Sequence, residues 1–302
     1  MVDGVGLGAG IRNNGFDDVR IVNSSAAAAR VQGFDYGIRL NAGTLRNLVE
    51  RVTVQNNEVA GIELNNADSN TVRTNTVQNQ AQDGIRLTTG SSANVVFNNT
   101  VATNQGDGVE LVGATGDRLE TNRVTGSGDR GVNLEAASNS NTLSNTVRNS
   151  SDAAISLELS NGNTLTSNDV RLNPTGIALK TAHGNRLQSN NASSSTGVGI
   201  KLSDSFNNDL VLNTASSNTA EGILVTGITT VANGVLLDRN TASANRADGI
   251  LVSGSGHRIQ GNIARNNDGW GIYAAPGNVD GGGNRASGNA EPAQCFNVRC
   301  TA

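Results

Sequence analysis

The chain has 302 residues and a formal charge of −4, and no apolar run in it approaches the roughly 20 residues a membrane-spanning helix needs. Its Lys and Arg are scattered, with no basic stripe interleaved by aromatics, which argues against a nucleic-acid partner. Only 3% of residues are aromatic, so a core must come from small branched side chains.

The first segment, Met1 to Gly10, has no basic stretch followed by an apolar core and does not read as a signal peptide. It enters the pattern midway, so an upstream leader or cap is expected. Residues 1–36 are assigned to an N-terminal coil or cap. From there the core Gly-Ile-x-Leu recurs from Gly37 to Gly271, at steps of 22 to 27 residues and mostly 23. A fixed interval of this kind marks a solenoid, whose repeats cannot bury their apolar faces alone. Residues 70–87 show one unit. Val72, Val77 and the Ile85/Leu87 pair are its apolar signals. Ile85 and Leu87 alternate with Arg86, the period of a strand with one buried face. Asn, Asp and Gly between them are turn residues. This predicts about eleven coils of three short strands each, in one unbroken domain with repeats over 37–289.

Three aliphatic columns follow from the register, headed by Ile38, Leu40 and Val72. Stacked coils lie about 4.8 Å apart, so each column becomes a ladder of like side chains. Two asparagine columns are equally regular. One runs from Asn75 to Asn262; the other runs from Asn70 to Asn208, with Asp117 and His257 substituting. Stacked amides both donate and accept, so these columns are read as structural. The step between Gly222 and Gly249 is 27 residues, which places an uncharged loop near Thr226 to Gly234.

The tail, 290–302, contains Cys295 and Cys300. Their closeness predicts a small disulfide loop, with a pair of free thiols as the alternative. A disulfide implies an oxidising compartment, hence a secreted, cell-surface or periplasmic protein. No Cys or His cluster nearby suggests zinc.

The motif Asn-x-Val/Leu-x-x-Asn-x-Val/Ala followed by Gly-Ile/Val-x-Leu/Val resembles the right-handed parallel β-helix repeat proteins of the pectin-lyase-like superfamily. Residues 13–23 resemble the first coil of its secreted bacterial members. The resemblance implies an all-β, single right-handed parallel β-helix, extracellular life and contact with polysaccharide. The catalytic signatures of relatives are missing. His183 and His257 lack the acidic and basic partners of polygalacturonase-like hydrolases, and the Asp-Pro-His of uronate epimerases is absent. Copper-accessory proteins share the repeat, but there is no Met cluster here to supply soft ligands.

One chemical feature remains. The x side chains point outward and begin Arg39, Glu63, Arg86, Glu110, with Asp83, Asp107 and Asp129 beside them. In polysaccharide lyases this face holds calcium-binding carboxylates and a basic residue that removes a proton. The resemblance therefore offers an enzymatic alternative: calcium at Asp83, Asp107 and Asp129, and catalysis by Arg86 or Glu110 on a uronate-containing glycan. The alternating signs also allow a self-neutralising ladder. The leading expectation is a non-catalytic module without a cofactor that binds polysaccharide or a cell-surface partner. Trp270, Tyr273 and Glu63 are its candidate contacts.

Overall fold

The computed structural model describes residues 1–25, 27, 29–88, 90–227 and 229–302. It is an all-β parallel solenoid of about 12 turns. Its helical content among the described residues is the short 3-10 turn Val231–Asn233. The chain forms two compact units, Met1–Asp152 and Ala153–Ala302.

In the first unit Ile11, Ile38, Ile62, Ile85, Val109 and Val132 pair in parallel register. From Ile38 onward this is the predicted column. Ile11 adds a turn within residues 1–36, the segment assigned from sequence to an N-terminal coil or cap. The segment Gly10-Ile11-Arg12-Asn13 carries the motif with Asn13 in the leucine place. Asn13 is buried there because its amide donates to the Phe16 carbonyl, 2.7 Å, and to Asn47 Oδ1, 3.2 Å. A second ladder joins Val49, Val72, Val96, Leu119 and Leu143. A third joins Val54, Val77, Val101 and Val124. From Ile38 onward, all of these aliphatic side chains are buried. Single left-handed residues turn the corners between the faces. Ser69, Thr74 and Asn79 have φ of 56°, 57° and 56° in one coil. The glycine of the motif is needed for close approach: a Cβ on Gly84 would lie 2.5 Å from the Gly108 carbonyl oxygen.

The second unit repeats the scheme. Ile155, Ile177, Ile200, Ile223, Ile250 and Ile272 stack, and so do Leu165, Leu187, Leu210, Leu237 and Ile259. The insertion at Thr226 to Gly234 is seated on the following coil. Gly254 and Gly256 lie so close to the Gly227 and Thr229 carbonyls that neither has room for a side chain. Ile228 of this loop lies outside the described residues.

The predicted asparagine ladders are present. Asn75 donates from N and from Nδ2 to Asn99 Oδ1, at 2.9 and 3.0 Å, and its Nδ2 also donates to the Val49 carbonyl. Each amide thus satisfies main-chain and side-chain groups on both sides. A third ladder was not foreseen. It joins Asn57, Gln80 and Asn104 in the first unit and Asn218, Asn245, Asn267 and Asn289 in the second. Gln294 closes it by accepting from Asn289 N and Nδ2 at 3.0 and 2.8 Å.

Cys295 and Cys300 form the disulfide. Phe16, near the start of the chain, is 70% exposed.

Candidate functional site

The outward column of the first unit runs Arg12, Arg39, Glu63, Arg86, Glu110, Asn133, one residue per coil. Neighbouring strands bring opposite charges side by side, and they pair. Arg39 Nε lies 2.7 Å from Glu63 Oε1, and Arg86 Nε lies 2.7 Å from Glu110 Oε2. Arg39 also lies over the Tyr36 ring, 4.4 Å from its centroid. The side chain of Glu63 is 2% exposed, which leaves almost none of it for a substrate to touch.

Asp83 and Asp107 stand one residue before the motif glycine. Each lends one oxygen to the backbone of the next coil: Asp83 Oδ1 accepts from Asp107 N at 2.9 Å, and Asp107 Oδ1 accepts from Arg130 N at 2.8 Å. The other oxygen of Asp83 faces Arg86 at 3.9 Å. The third predicted carboxylate does not join them. Arg130 occupies the position before Gly131, and Asp129, one residue earlier, turns outward with its side chain 51% exposed, 3.5 Å from Arg130. Sequence spacing treats Asp129 as equivalent to Asp83 and Asp107, although its offset from the glycine is one residue larger.

Burial makes these carboxyls weak acids. It raises Asp107 to about 7, against the amide bond from Arg130, with Asp83 adding repulsion. It raises Glu110 to about 7 as well, with Asp83 the next cause and Arg86 opposing. Asp83 is raised by the same desolvation. Arg86 thus lies between Glu110 and Asp83, Asp83 holds the Asp107 amide, and burial favours the protonated form of all three acids.

In the second unit the outward column turns apolar. Leu224, Leu251, Tyr273 and Phe296 pair in succession. Tyr273 and Phe296 stack with centroids 5.0 Å apart and planes 8° from parallel. Trp270 stands against both, 6.2 Å from Tyr273 at 61° and 5.7 Å from Phe296 at 59°. Its backbone is fixed by Asp248, whose Oδ1 accepts from Trp270 N at 2.6 Å. All three rings are partly exposed, Phe296 at 39%. Sequence points to Trp270 and Tyr273 and not to Phe296, whose place in the column follows an irregular tail.

Both histidines have structural duties. His257 replaces an asparagine; its Nδ1 accepts from Val235 N at 3.1 Å and its Nε2 faces the Gly227 carbonyl at 3.2 Å. That pair of contacts requires the neutral tautomer protonated on Nε2, and burial lowers its pKa in agreement. His183 Nδ1 accepts from Phe206 N at 3.0 Å, and the two rings stack.

The family model described as "Periplasmic copper-binding protein (NosD)" matches residues 6–145 and 142–290. The chain belongs to the NosD family. No curated protein matches the chain. Solved structures share the fold. The Azotobacter vinelandii mannuronan C-5 epimerase AlgE4 A-module is 14% identical, with a TM-score of 0.56 over 78% of this chain and 76% of that one. The periplasmic alginate epimerase AlgG is 15% identical, TM-score 0.55, over 69% of this chain and 61% of that one. The Dettilon tailspike protein gp208 is 16% identical, TM-score 0.54, over 86% of this chain and 60% of that one. At these identities the likeness is one of architecture.

The residues of this NosD-family chain do not fit a copper site. Copper favours thioether, thiolate and imidazole ligands. Both cysteines are in the disulfide and none is free. The one methionine is Met1. Each histidine commits Nδ1 to a backbone amide. Among the described residues no group of three or more His, Cys, Asp or Glu is placed to hold a metal ion.

Proposed function

We propose that this protein is a non-catalytic, extracytoplasmic scaffold whose outward strand face binds polysaccharide. The carrying observation is the cluster of Trp270, Tyr273 and Phe296 on that face, because aromatic rings pair with the apolar faces of sugars. The solved relatives add support, since two are named as epimerases of mannuronan or alginate and a third as a tailspike. The word periplasmic in the family description and the disulfide both support a location outside the cytoplasm. Trp270→Ala is expected to weaken glycan binding about tenfold or more. The melting temperature should hold, because Trp270 lies outside the aliphatic core. Glycan arrays and calorimetry check this, and a wild-type protein that binds no glycan refutes it.

A second reading rests on Asp107 and Glu110. Two carboxyls raised to about 7, Glu110 beside Arg86 and Asp107 beside Arg130, are groups that exchange protons at neutral pH. We propose this cluster as the place for acid–base chemistry, should the protein act on a uronate-containing glycan by β-elimination. Incubation with pectate and alginate between pH 6 and 9, with and without calcium, should then yield unsaturated product absorbing in the ultraviolet. Glu110→Gln should abolish it. No product from any uronan removes this reading and leaves the binding scaffold standing.

A further inference from the structure

We propose that Phe296 is the third binding ring of the aromatic platform, held in place by the Cys295–Cys300 bridge, and that the platform suits an uncharged polysaccharide. The ligand rests on the polysaccharide reading above; the role of the bridge does not.

The strand Cys295–Phe296 is two residues long and, among the described residues, pairs with Ile272 and Tyr273. At its other end the tail adds a second two-residue strand, Cys300–Thr301, against Asn284 and Arg285 in a different sheet. Fixing each residue of such a segment costs about 1–2 kcal/mol of backbone entropy, which two-residue pairings recover poorly. The bridge ties the two strands together across the turn between them. Within that turn Asn297 takes a left-handed φ of 55° and donates to the Ala274 carbonyl at 3.0 Å, and Val298 turns inward. Arg299 N donates to Asp280 Oδ2 at 2.9 Å. The consequence at the surface is the Phe296 ring, parallel to Tyr273 and tilted against Trp270. Phe296 stacks on Tyr273 and Trp270 stands at about 60° to both, so the three partly exposed rings form one apolar cluster at the surface.

Charge selects the class of glycan. Asp248 Oδ1 accepts from Trp270 N, so a carboxyl group sits directly against the backbone of the platform's central ring. A carboxylate there repels a polyuronate and leaves an uncharged chain unaffected.

Trp270 is the only tryptophan, so its emission reports on the platform alone. Four samples of the full chain serve: the oxidised protein, the dithiothreitol-reduced protein, Cys295→Ser/Cys300→Ser, and Phe296→Ala with the bridge intact. The probes are cellohexaose and mannohexaose, with oligogalacturonate as the charged control. Loss of the bridge should shift Trp270 emission and weaken binding of the uncharged oligosaccharides about tenfold. Phe296→Ala should weaken binding equally while its disulfide stays closed. Unchanged emission after verified reduction overturns the positioning role. Unchanged affinity in Phe296→Ala overturns the ring role, and preference for oligogalacturonate overturns the ligand class. If the oxidised protein binds none of the probes the polysaccharide reading falls, and the emission experiment still decides what the bridge does.

Discussion

Asp117→Asn is expected to raise the melting temperature, with no effect at pH 4 and a gain of roughly 4–7 °C at pH 8. Asp117 stands in an asparagine ladder and is fully buried. Its Oδ1 does what an asparagine oxygen does, accepting from Asn94 N at 2.8 Å and Asn94 Nδ2 at 3.0 Å. Its Oδ2 therefore takes the place of the amide nitrogen, and it has no hydrogen-bond partner among the described residues. The equivalent nitrogens of Asn94 and Asn141 donate to the Ala67 and Ala114 carbonyls. An oxygen in a donor's place is tolerable only when it carries a proton. Burial accordingly raises Asp117 to about 7, with Asp68 adding a smaller repulsion. The folded state thus holds this proton more tightly than the unfolded chain, whose value is the ordinary 3.8. Stability from this group is complete below about pH 4, falls as pH rises toward 7, and is level above. A rise from 3.8 to about 7 sets an upper bound on the order of 4 kcal/mol, and asparagine recovers most of it by donating at every pH. Thermal unfolding of the two proteins from pH 4 to 8 tests this. A gain that does not change with pH would contradict a buried, protonated Asp117.

Periodicity carried most of the fold because stacking at one strand spacing forces like residues into columns, and columns are visible wherever the side chains are alike. Ile38 to Ile272 and Asn75 to Asn262 were legible for that reason. The signal failed where chemistry of a different kind filled the same place. Asn13 stands for a leucine in the first turn, and Gln80 for an asparagine in the third ladder. Ser127 and Ser150 dilute that ladder further. The charged face was half legible. Alternating Arg39, Glu63, Arg86 and Glu110 announced their own pairing, because a parallel strand neighbour is fixed by the repeat. What spacing could not show is that Asp83 and Asp107 each hold a backbone amide of the next coil, or that a one-residue offset sends Asp129 into solvent. Those outcomes depend on which atom faces which, and a column records only residue type. The aromatic platform is a similar case. Tyr273 fell in register, whereas Phe296 reaches the same column through the tail and its disulfide.

Asn99→Leu should destabilise the protein by about 3–5 kcal/mol, lowering the melting temperature by roughly 10 °C. Leucine keeps the volume, so the loss isolates hydrogen bonding from packing. Asn99 Oδ1 accepts from Asn75 N at 2.9 Å and from Asn75 Nδ2 at 3.0 Å. Its Nδ2 donates to the Val72 carbonyl at 2.9 Å and to Asn122 Oδ1 at 3.0 Å. Substitution leaves Asn75 N and the Val72 oxygen without these partners in the interior, while Asn75 Nδ2 keeps its bond to the Val49 carbonyl, and each orphaned buried group costs about 1–3 kcal/mol. Asn122 keeps the bond from the residue-99 backbone nitrogen and loses less. The neighbouring Thr100, whose side chain faces solvent, provides the control: Thr100→Ala should change stability by no more than about 0.5 kcal/mol. Because coils contact only their neighbours, damage at one rung separates the stability of the turns on either side of it. Calorimetry of Asn99→Leu should therefore show a broader transition as well as a lower one. Asn99→Asp supplies the decisive comparison: it places an oxygen where Asn99 Nδ2 now donates, as at Asp117. It should match the wild type near pH 4 and fall well below it at pH 8. A melting point for Asn99→Leu within about 2 °C of the wild type would show that the ladder fills space in the coil without holding it together.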